Sequence, residues 1–277
     1  MTVEGFAPAK INLTLHVTGQ RADGYHLLDS LVAFADIGDR VTASFAEELS
    51  LTVTGPMEAG VPSDSRNLMV QAAALIDPKR GAALALEKHL PGASGIGGGS
   101  SDAAATLRVL SELWQMPLPK AEDTLGLGAD LPVCMAPIAQ RMSGIGEQLS
   151  PVSPLPNCSI VLVNPRVSVA TPTIFRALQH RNNLPMPKVL PCCATANDLA
   201  DWLKTQRNDL QVPAIKIQPV IDDVLQALDH TDALFSAMSG SGATCYALFE
   251  NSELAQKHAA RLTAAHPDWW VQSGKLL

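Results

Sequence analysis

Residues 91–105 read Pro-Gly-Ala-Ser-Gly-Ile-Gly-Gly-Gly-Ser-Ser-Asp-Ala-Ala-Ala, and no other stretch of the 277-residue chain restricts its folding so tightly. Five glycines between Gly92 and Gly99 remove Cβ atoms from the path, so successive backbone N–H groups can converge on one point. Behind them Ala103, Leu107, Leu110 and Trp114 recur at helical spacing until Pro117 stops the pattern. Ahead of them Ala83–Leu90 has the apolar character of a short buried strand. Strand, glycine arc and helix in that order predict a phosphate cradle, because unpaired N–H groups and the helix dipole both favour an anion. Two better-known phosphate loops are excluded. No Gly-Lys-Ser/Thr follows the glycines, and the dinucleotide fingerprint would need a glycine where Ser100 or Asp102 stands. A flexible loop with a serine helix cap is the competing reading, although five glycines exceed what one turn requires.

Composition bounds the rest. The content is 47% hydrophobic and 17% charged, which describes a folded protein with one large domain or two ordinary ones. Aromatic residues make up only 4%, so the core must rest on Leu, Val, Ile and Ala. The net charge of −7 argues against a sequence-independent nucleic-acid partner, which needs a basic surface. It leaves room for an anionic small molecule, since a cradle of amides acts locally. Cys134, Cys158, Cys192, Cys193 and Cys245 form no Cys-x-x-Cys pair and are odd in number, which points to a reducing compartment without a thiolate metal site. There is no secretory-type leader and no apolar run approaching the ~18 residues of a membrane span. The expectation is a cytoplasmic protein with neither membrane nor nucleic-acid partners.

Along the chain, Ile11, Leu13, Leu15 and Val17 alternate with Asn12, Thr14, His16 and Thr18, predicting one strand whose polar face carries Lys10 and Asn12 together. An Asp23-Gly24 turn precedes the apolar stretch Leu27–Phe34, and Val41–Val53 reads as one or two further strands. Asn67–Ile76 has helical composition. Pro151, Pro154 and Pro156 crowd a boundary, predicting domains at 1–152 and 153–277. Beyond it the pattern predicts a strand at Ser159–Val163 and a helix opening with Thr171 as cap and Pro172 in first position. A helix through Val220–Leu228, a strand at Ala243–Phe249, a helix at Glu253–Ala265 and a short strand at Trp269–Gln272 follow. Residues 181–218 are proline-rich and polar and carry no clear pattern. Strands and helices alternate without a long parallel series, so the predicted class is α+β.

Other chemistry is sparse. Asp130, in Gly-Leu-Gly-Ala-Asp-Leu-Pro, places a carboxylate in a tight apolar setting, where it is a turn or capping residue or else the partner of a cation such as Lys10. Ser239-Gly-Ser-Gly242 is an ordinary glycine turn, or a second loop able to close over phosphates bound by the first; it is expected between a helix and a strand. The seven histidines are scattered with no His-Glu-x-x-His pair, and no Gly-x-Ser-x-Gly elbow exists.

Three elements in this order resemble the GHMP small-molecule kinases: the Pro8-Ala-Lys10 strand, Pro91–Ala104 and the Ser239–Ala243 turn. Further blocks narrow the likeness to the branch acting on a cytidine diphosphate-linked polyol. These are Ala7–Leu13, Gly19–His26, Gly128–Pro132 and Val167–Phe175. The resemblance implies a two-lobed fold, with an N-terminal ribosomal-S5-like α/β lobe and a C-terminal ferredoxin-like α+β lobe. It implies ATP as phosphoryl donor, with Mg²⁺, and transfer to an alcohol by a monomer or homodimer. Matched position by position, Lys10 and Asp130 would be catalytic. ATP would be held by Pro91, Gly92, Ala93, Ser94, Gly95, Ile96, Gly97, Gly98, Gly99, Ser100 and Ser101, with Gly240, Ser241 and Gly242 closing the site. Asn12 and Thr171 would contact the acceptor, Tyr25 and Phe175 would stack on its cytosine, and His26 would hydrogen-bond to it. The metal ligands stay open, and Asn197–Leu199 and Asn208–Leu210 both fit the single Asn-Asp-Leu usual in the second lobe. A kinase for homoserine, mevalonate or a sugar, or a nucleotide-binding module without catalysis, would share the arc. Neither has use for the aromatic residues and the lysine–aspartate couple together.

Overall fold

The structure is a computed structural model and describes residues 1–277. The strands are β1 (Thr2–Asn12), β2 (His16–Gln20), β3 (His26–Phe45), β4 (Leu49–Thr54), β5 (Ala82–Glu87), β6 (Gln140–Gly144) and β7 (Gln148–Pro151). They continue with β8 (Ser159–Asn164), β9 (Phe235–Met238), β10 (Cys245–Phe249) and β11 (Trp270–Lys275). The helices are α1 (Leu68–Ile76), α2 (Gly98–Trp114), α3 (Leu131–Cys134), α4 (Thr171–Arg176), α5 (Ala196–Leu203), α6 (Gln211–Ile217), α7 (Val220–Asp229) and α8 (Ser252–Ala265). A 3-10 turn at Ala121–Thr124 follows Pro117 and Pro119. The class is α+β. No helix is long and apolar enough to cross a membrane.

Two compact units divide the chain, the first holding residues 1–10, 38–92 and 97–137. In it β4 and β5 pair in parallel, and β5 pairs antiparallel with the end of β3, from Arg40↔Glu87 to Phe45↔Ala82. A parallel pair needs a crossover, and α1 supplies it. That helix starts where the Asn67 side chain accepts from Met69 N at 2.9 Å and ends at Asp77, before Pro78. Helix α2 is long and alanine-rich, and packs against α1 over a core of Met69, Leu84, Leu86, Leu110 and Leu113. It ends where Gln115 turns left-handed at φ 53°, two residues before Pro117.

The second unit holds residues 11–37, 93–96 and 138–277. Here β2 forms a hairpin with the start of β3, β6 pairs with β3 from Leu28↔Gly144 to Val32↔Gln140, and β7 pairs with β6. A four-stranded antiparallel sheet in the order β11-β8-β10-β9 makes up the rest, with α8 against β8 and α7 against β9. Every residue of β8 and β10 is buried, which explains their unbroken apolar sequences. The Val161, Val163, Val224, Leu228 and Phe249 side chains share one core.

Several sequence expectations are corrected. The strand predicted through Ile11–Val17 is broken: β1 stops at Asn12, Leu13 N and Thr14 N both donate to Leu31 O, and β2 resumes at His16. Its polar face is buried at Asn12, Thr14 and His16. Part of the unplaced segment covers it: His16 Nδ1 lies 3.2 Å from Leu184 O, and Thr14 Oγ1 contacts Met186 Sδ at 3.0 Å. The stretch Leu27–Phe34 is one part of the 20-residue β3. Thr171 is not the cap of α4 but its first residue, with Ala170 before it, and the Ser239–Gly242 turn joins two strands, β9 and β10. Helices α5 and α6 and strand β9 are too short to have left a readable period.

Arg141 on β6 anchors the covering segment. Its guanidinium donates to both oxygens of buried Asp29 at 2.7 Å and to the carbonyls of Met186, Pro187 and Lys188 at 2.9–3.3 Å, while Asp29 Oδ2 also accepts from Met186 N at 2.8 Å. Arg141→Met strips the cation from a buried carboxylate, and the expected cost is ~3–5 kcal/mol of unfolding free energy. Urea titration checks this; an unchanged midpoint contradicts the clamp.

Candidate active site

In the first unit Lys10 on β1 and Asp130 before α3 form an ion pair, Nζ to Oδ1 2.9 Å. The lysine side chain is 3% exposed and the aspartate 39%, so the tight apolar setting read from the sequence around Asp130 is corrected: the pair is buried at its cationic end and open at its carboxylate. Asp130 occupies the cap position of α3 yet makes no capping hydrogen bond, which leaves the capping reading without support. The start of α2 lies on the lysine stem, since a Cβ built at Gly97 would come 3.2 Å from Lys10 Cβ. Ser101 is fully buried and donates through Oγ to Pro8 O at 2.7 Å, fixing the first turn of α2 to β1. No side chain caps that turn and no acidic residue enters it, so its N–H groups and dipole present an electropositive end. Pro91 and Gly92 close the same unit's part of the loop.

Sequence reasoning missed a second buried charge cluster in this unit. Lys88 Nζ lies 2.6 Å from both Asp39 Oδ2 and Asp102 Oδ2, and all three residues are almost wholly buried. Asp39 Oδ1 also accepts from His89 N and Leu90 N, at 2.5 and 2.8 Å. One lysine thus ties the end of β5 and the start of the loop to β3 and α2. A Cβ at Gly98 would stand 3.3 Å from its Nζ, directly under the first helical turn. Burial, with the Asp39 carboxylate adding to it against the pull of Lys88, pushes Asp102 up to about 8. For Lys88 burial pulls the value down, but the two carboxylates outweigh it and raise it. The available signal was a lysine closing an apolar strand just ahead of the glycine arc.

In the second unit Ala93–Ile96 packs against the Ser239–Gly242 turn. Ser239 Oγ donates to Gly95 O at 3.0 Å and accepts from Asn12 N at 3.1 Å, and Thr244 N donates to Ser94 O at 3.0 Å. Gly95 has φ +77°, and a Cβ there would stand 2.5 Å from Ser239 O. Gly240 has φ +56° with a corresponding approach of 2.7 Å to Gly95 O, so the two backbones meet only as glycines. Asn208 Nδ2 holds the turn by donating to Met238 O and Gly240 O at 2.8 and 2.9 Å. Of the two Asn-Asp-Leu triplets, therefore, Asn208–Leu210 supports the glycine turn, while Asp198 of the other closes a capping box with Thr195 at the start of α5. Thr171 Oγ1 and Ser241 Oγ are 2.8 Å apart. Asn12 donates through Nδ2 to Ser30 Oγ at 2.8 Å, but its buried Oδ1 has no partner.

The aromatic residues lie in the same unit. His26 and Phe175 stack with ring centroids 4.7 Å apart and planes at 25°. Tyr25 is 59% exposed beside them in sequence and stacks on neither. Burial, then the nearby Arg181 charge, lowers the His26 pKa and keeps the imidazole neutral, and its buried Nε2 has no hydrogen-bond partner. The structure thus brings Lys10, Asp130 and Gly97–Ser101 together in one unit. It brings Asn12, Ala93–Ile96, Thr171 and Gly240–Gly242 together in the other, with His26 and Phe175 as a pair.

Known proteins resemble this chain over its full length. Residues 67–140 match the family described as GHMP kinases N terminal domain, and residues 193–268 match GHMP kinases C terminal. A 4-diphosphocytidyl-2-C-methyl-D-erythritol kinase of Ruegeria pomeroyi is 55% identical over all of this chain and all of its own length. A crystal structure of 4-(cytidine 5'-diphospho)-2C-methyl-D-erythritol kinase superposes with TM-score 0.79 and 31% identity, covering 99% of this chain and 98% of the other. Homoserine kinase from Cytophaga hutchinsonii, at 17% identity and TM-score 0.66 over 99% of this chain and 94% of its own, shares the fold.

The buried cluster yields a stability test. Lys88→Met leaves the dry Asp39 carboxylate without its cation and is expected to cost ~3–5 kcal/mol, whereas Asp102→Asn keeps the shape of a protonated carboxyl and should cost less than half of that. Because the folded-state value of Asp102, about 8, lies above the ordinary one, its contribution is full below about pH 4 and drains away as pH rises to about 8. Denaturant titrations of wild type and Asp102→Asn should therefore show wild type losing ground between pH 5 and 8 and levelling above. A difference independent of pH contradicts the assignment.

Proposed function

The chain belongs to the 4-diphosphocytidyl-2-C-methyl-D-erythritol kinases within the GHMP kinases, and on that premise we propose that it transfers the γ-phosphoryl group of ATP to the 2-hydroxyl of 4-diphosphocytidyl-2-C-methyl-D-erythritol. The products are the 2-phosphate and ADP, a step of the methylerythritol phosphate route to isoprenoid precursors. The observation that carries this reading is the Lys10–Asp130 pair, 2.9 Å between charged atoms, at the uncapped start of α2. The family profiles at 67–140 and 193–268 fall one on each side of residue 152, which supports the division of the chain into domains at 1–152 and 153–277.

Phosphoryl transfer asks little covalent chemistry of a protein; alignment and charge stabilisation do most of the work. In this reading Pro91–Ser101 wrap the triphosphate, with N–H groups from Gly92 to Ser100 donating to it and the α2 dipole helping, and Gly240–Gly242 also bind ATP. Asp130, open to solvent on one side, orients the acceptor hydroxyl and takes its proton as the O–P bond forms. Lys10 steadies negative charge on the attacking oxygen and the moving phosphoryl group. Asn12 offers its unpaired Oδ1 to an acceptor hydroxyl, with Thr171 nearby in the same unit. Phe175 and Tyr25 supply stacking faces for the cytosine and His26 a hydrogen bond to its edge. Mg²⁺ would accompany ATP and neutralise charge on its phosphates.

Two variants test the roles. Asp130→Ala should cut kcat by at least ~10²-fold while ATP affinity stays nearly intact; unchanged turnover removes Asp130 from the reaction. Phe175→Ala should raise KM for the cytidylyl acceptor with little change in kcat, and an equal loss toward a polyol phosphate lacking cytosine would reduce Phe175 to packing.

A further inference from the structure

We propose that Arg181 is a substrate-recognition residue of the cytidine pocket, donating from its guanidinium to an acceptor oxygen of the bound cytidine nucleotide. The proposal rests on the acceptor assignment above and deepens it.

The chain around Arg181 is pinned beside the aromatic pair from two directions. On one side Asn183 donates through N and Nδ2 to Val17 O at 3.1 and 3.2 Å, and Asn182 Oδ1 lies 3.8 Å from a Cβ built at Gly19. That part of β2 pairs with β3 where His26 begins it, Gly19 facing Leu27 and Gln20 facing His26. On the other side Arg181 Nη2 reaches Arg176 O, the residue after Phe175, in a long contact of 3.5 Å. Arg181 thus stands between the strand that carries His26 and the end of the helix that carries Phe175.

Its donors are poorly used for such a place. Nε is buried and has no hydrogen-bond partner, and no carboxylate pairs with the guanidinium. Other arginines of the second unit are committed: Arg141 binds Asp29 and three carbonyls, and Arg207 binds Asp209 at 2.7 Å. A buried N–H without a partner is costly, and it persists where something else satisfies it. His26 Nε2 is also buried and unpaired, and the lowered pKa of His26 registers the Arg181 charge. Two unsatisfied nitrogens, one in the stacked His26–Phe175 pair and one on the segment that follows it, suit recognition of a polar-edged ring.

Guanidinium only donates, so its partner must be an acceptor. A cytidine nucleotide offers the base carbonyl and N3 at the ring edge, and phosphate oxygens further along. Both are acceptors, and Arg is suited to either through its planar fork. Lysine at this position would keep the charge but not the fork.

Steady-state kinetics of Arg181→Met and Arg181→Lys, with calorimetric binding of cytidine and of cytidine 5'-diphosphate, test the proposal. In Arg181→Met the KM for the cytidylyl acceptor should rise ~10–100-fold, the loss of one charge-assisted hydrogen bond, with the ATP KM within about twofold. Arg181→Lys should recover part of that loss. Weaker binding of both probes places the bond at the base, and weaker binding of the diphosphate alone places it at a phosphate; either supports the proposal. An acceptor KM within twofold of wild type overturns it, as does a parallel rise in both KM values with a lowered melting temperature, which is the mark of a packing residue. Wild-type protein that fails to phosphorylate the cytidylyl polyol would overturn the activity reading itself, a result separable from either Arg181 outcome.

Discussion

A lysine side chain that is 3% exposed must be compensated for the water it has lost, and in this protein one carboxylate does that. Desolvation of an ammonium costs several kcal/mol, and a single well-placed oxygen at 2.9 Å is what makes Lys10 tolerable on β1. The arrangement is asymmetric, because Asp130 keeps more than a third of its surface open. The buried end fixes position and the open end meets the substrate. Gly97 lies against the lysine stem and Ser101 is bonded to Pro8, so the phosphate-binding turn and the ion pair are set by the same few residues of β1. For a reaction governed by alignment, that shared support matters more than the strength of any single contact.

The same logic recurs one layer deeper. Lys88 stitches β3, the end of β5 and α2 together through Asp39 and Asp102. It stands beneath Gly98, where a side chain would crowd it. A loop rich in glycine is flexible in isolation; buried charge pairs on one unit and the interlocked Gly95–Ser239–Gly240 backbones on the other remove that freedom before any ligand arrives. Orphaned atoms mark the opposite tendency. Asn12 Oδ1 and His26 Nε2 are buried without partners, each at a cost of ~1–3 kcal/mol that a bound ligand could repay.

Much of this was legible in the sequence because local rules and tertiary demands agree there. The order strand, glycine arc and helix is as read, as are the helix within Asn67–Ile76, the buried strand at Ser159–Val163 and the strand within Ala243–Phe249. The residues grouped by resemblance around Lys10, Asp130 and the loop do gather within their units. Other features were hidden for identifiable reasons. Nothing next to Asp102 in sequence announces its burial, and only its partners Lys88 and Asp39, far apart in sequence, account for it. Residues 184–186 cover the polar face of the Ile11–Val17 alternation, and nothing local in that proline-rich segment announces its destination. Thr171 shows how one hydroxyl serves two grammars: its Thr-Pro pair reads as a cap, yet its oxygen bonds to Ser241, seventy residues away.

The central claim is that Lys10 and Asp130 act as one unit, and a double-mutant cycle on kcat measures that directly. Lys10→Met, Asp130→Asn and the double variant would be assayed with saturating ATP and acceptor, folding being verified by circular dichroism. A coupled pair predicts that the double variant loses no more activity than the worse single one. Losses that multiply, as for two independent residues, would contradict the account.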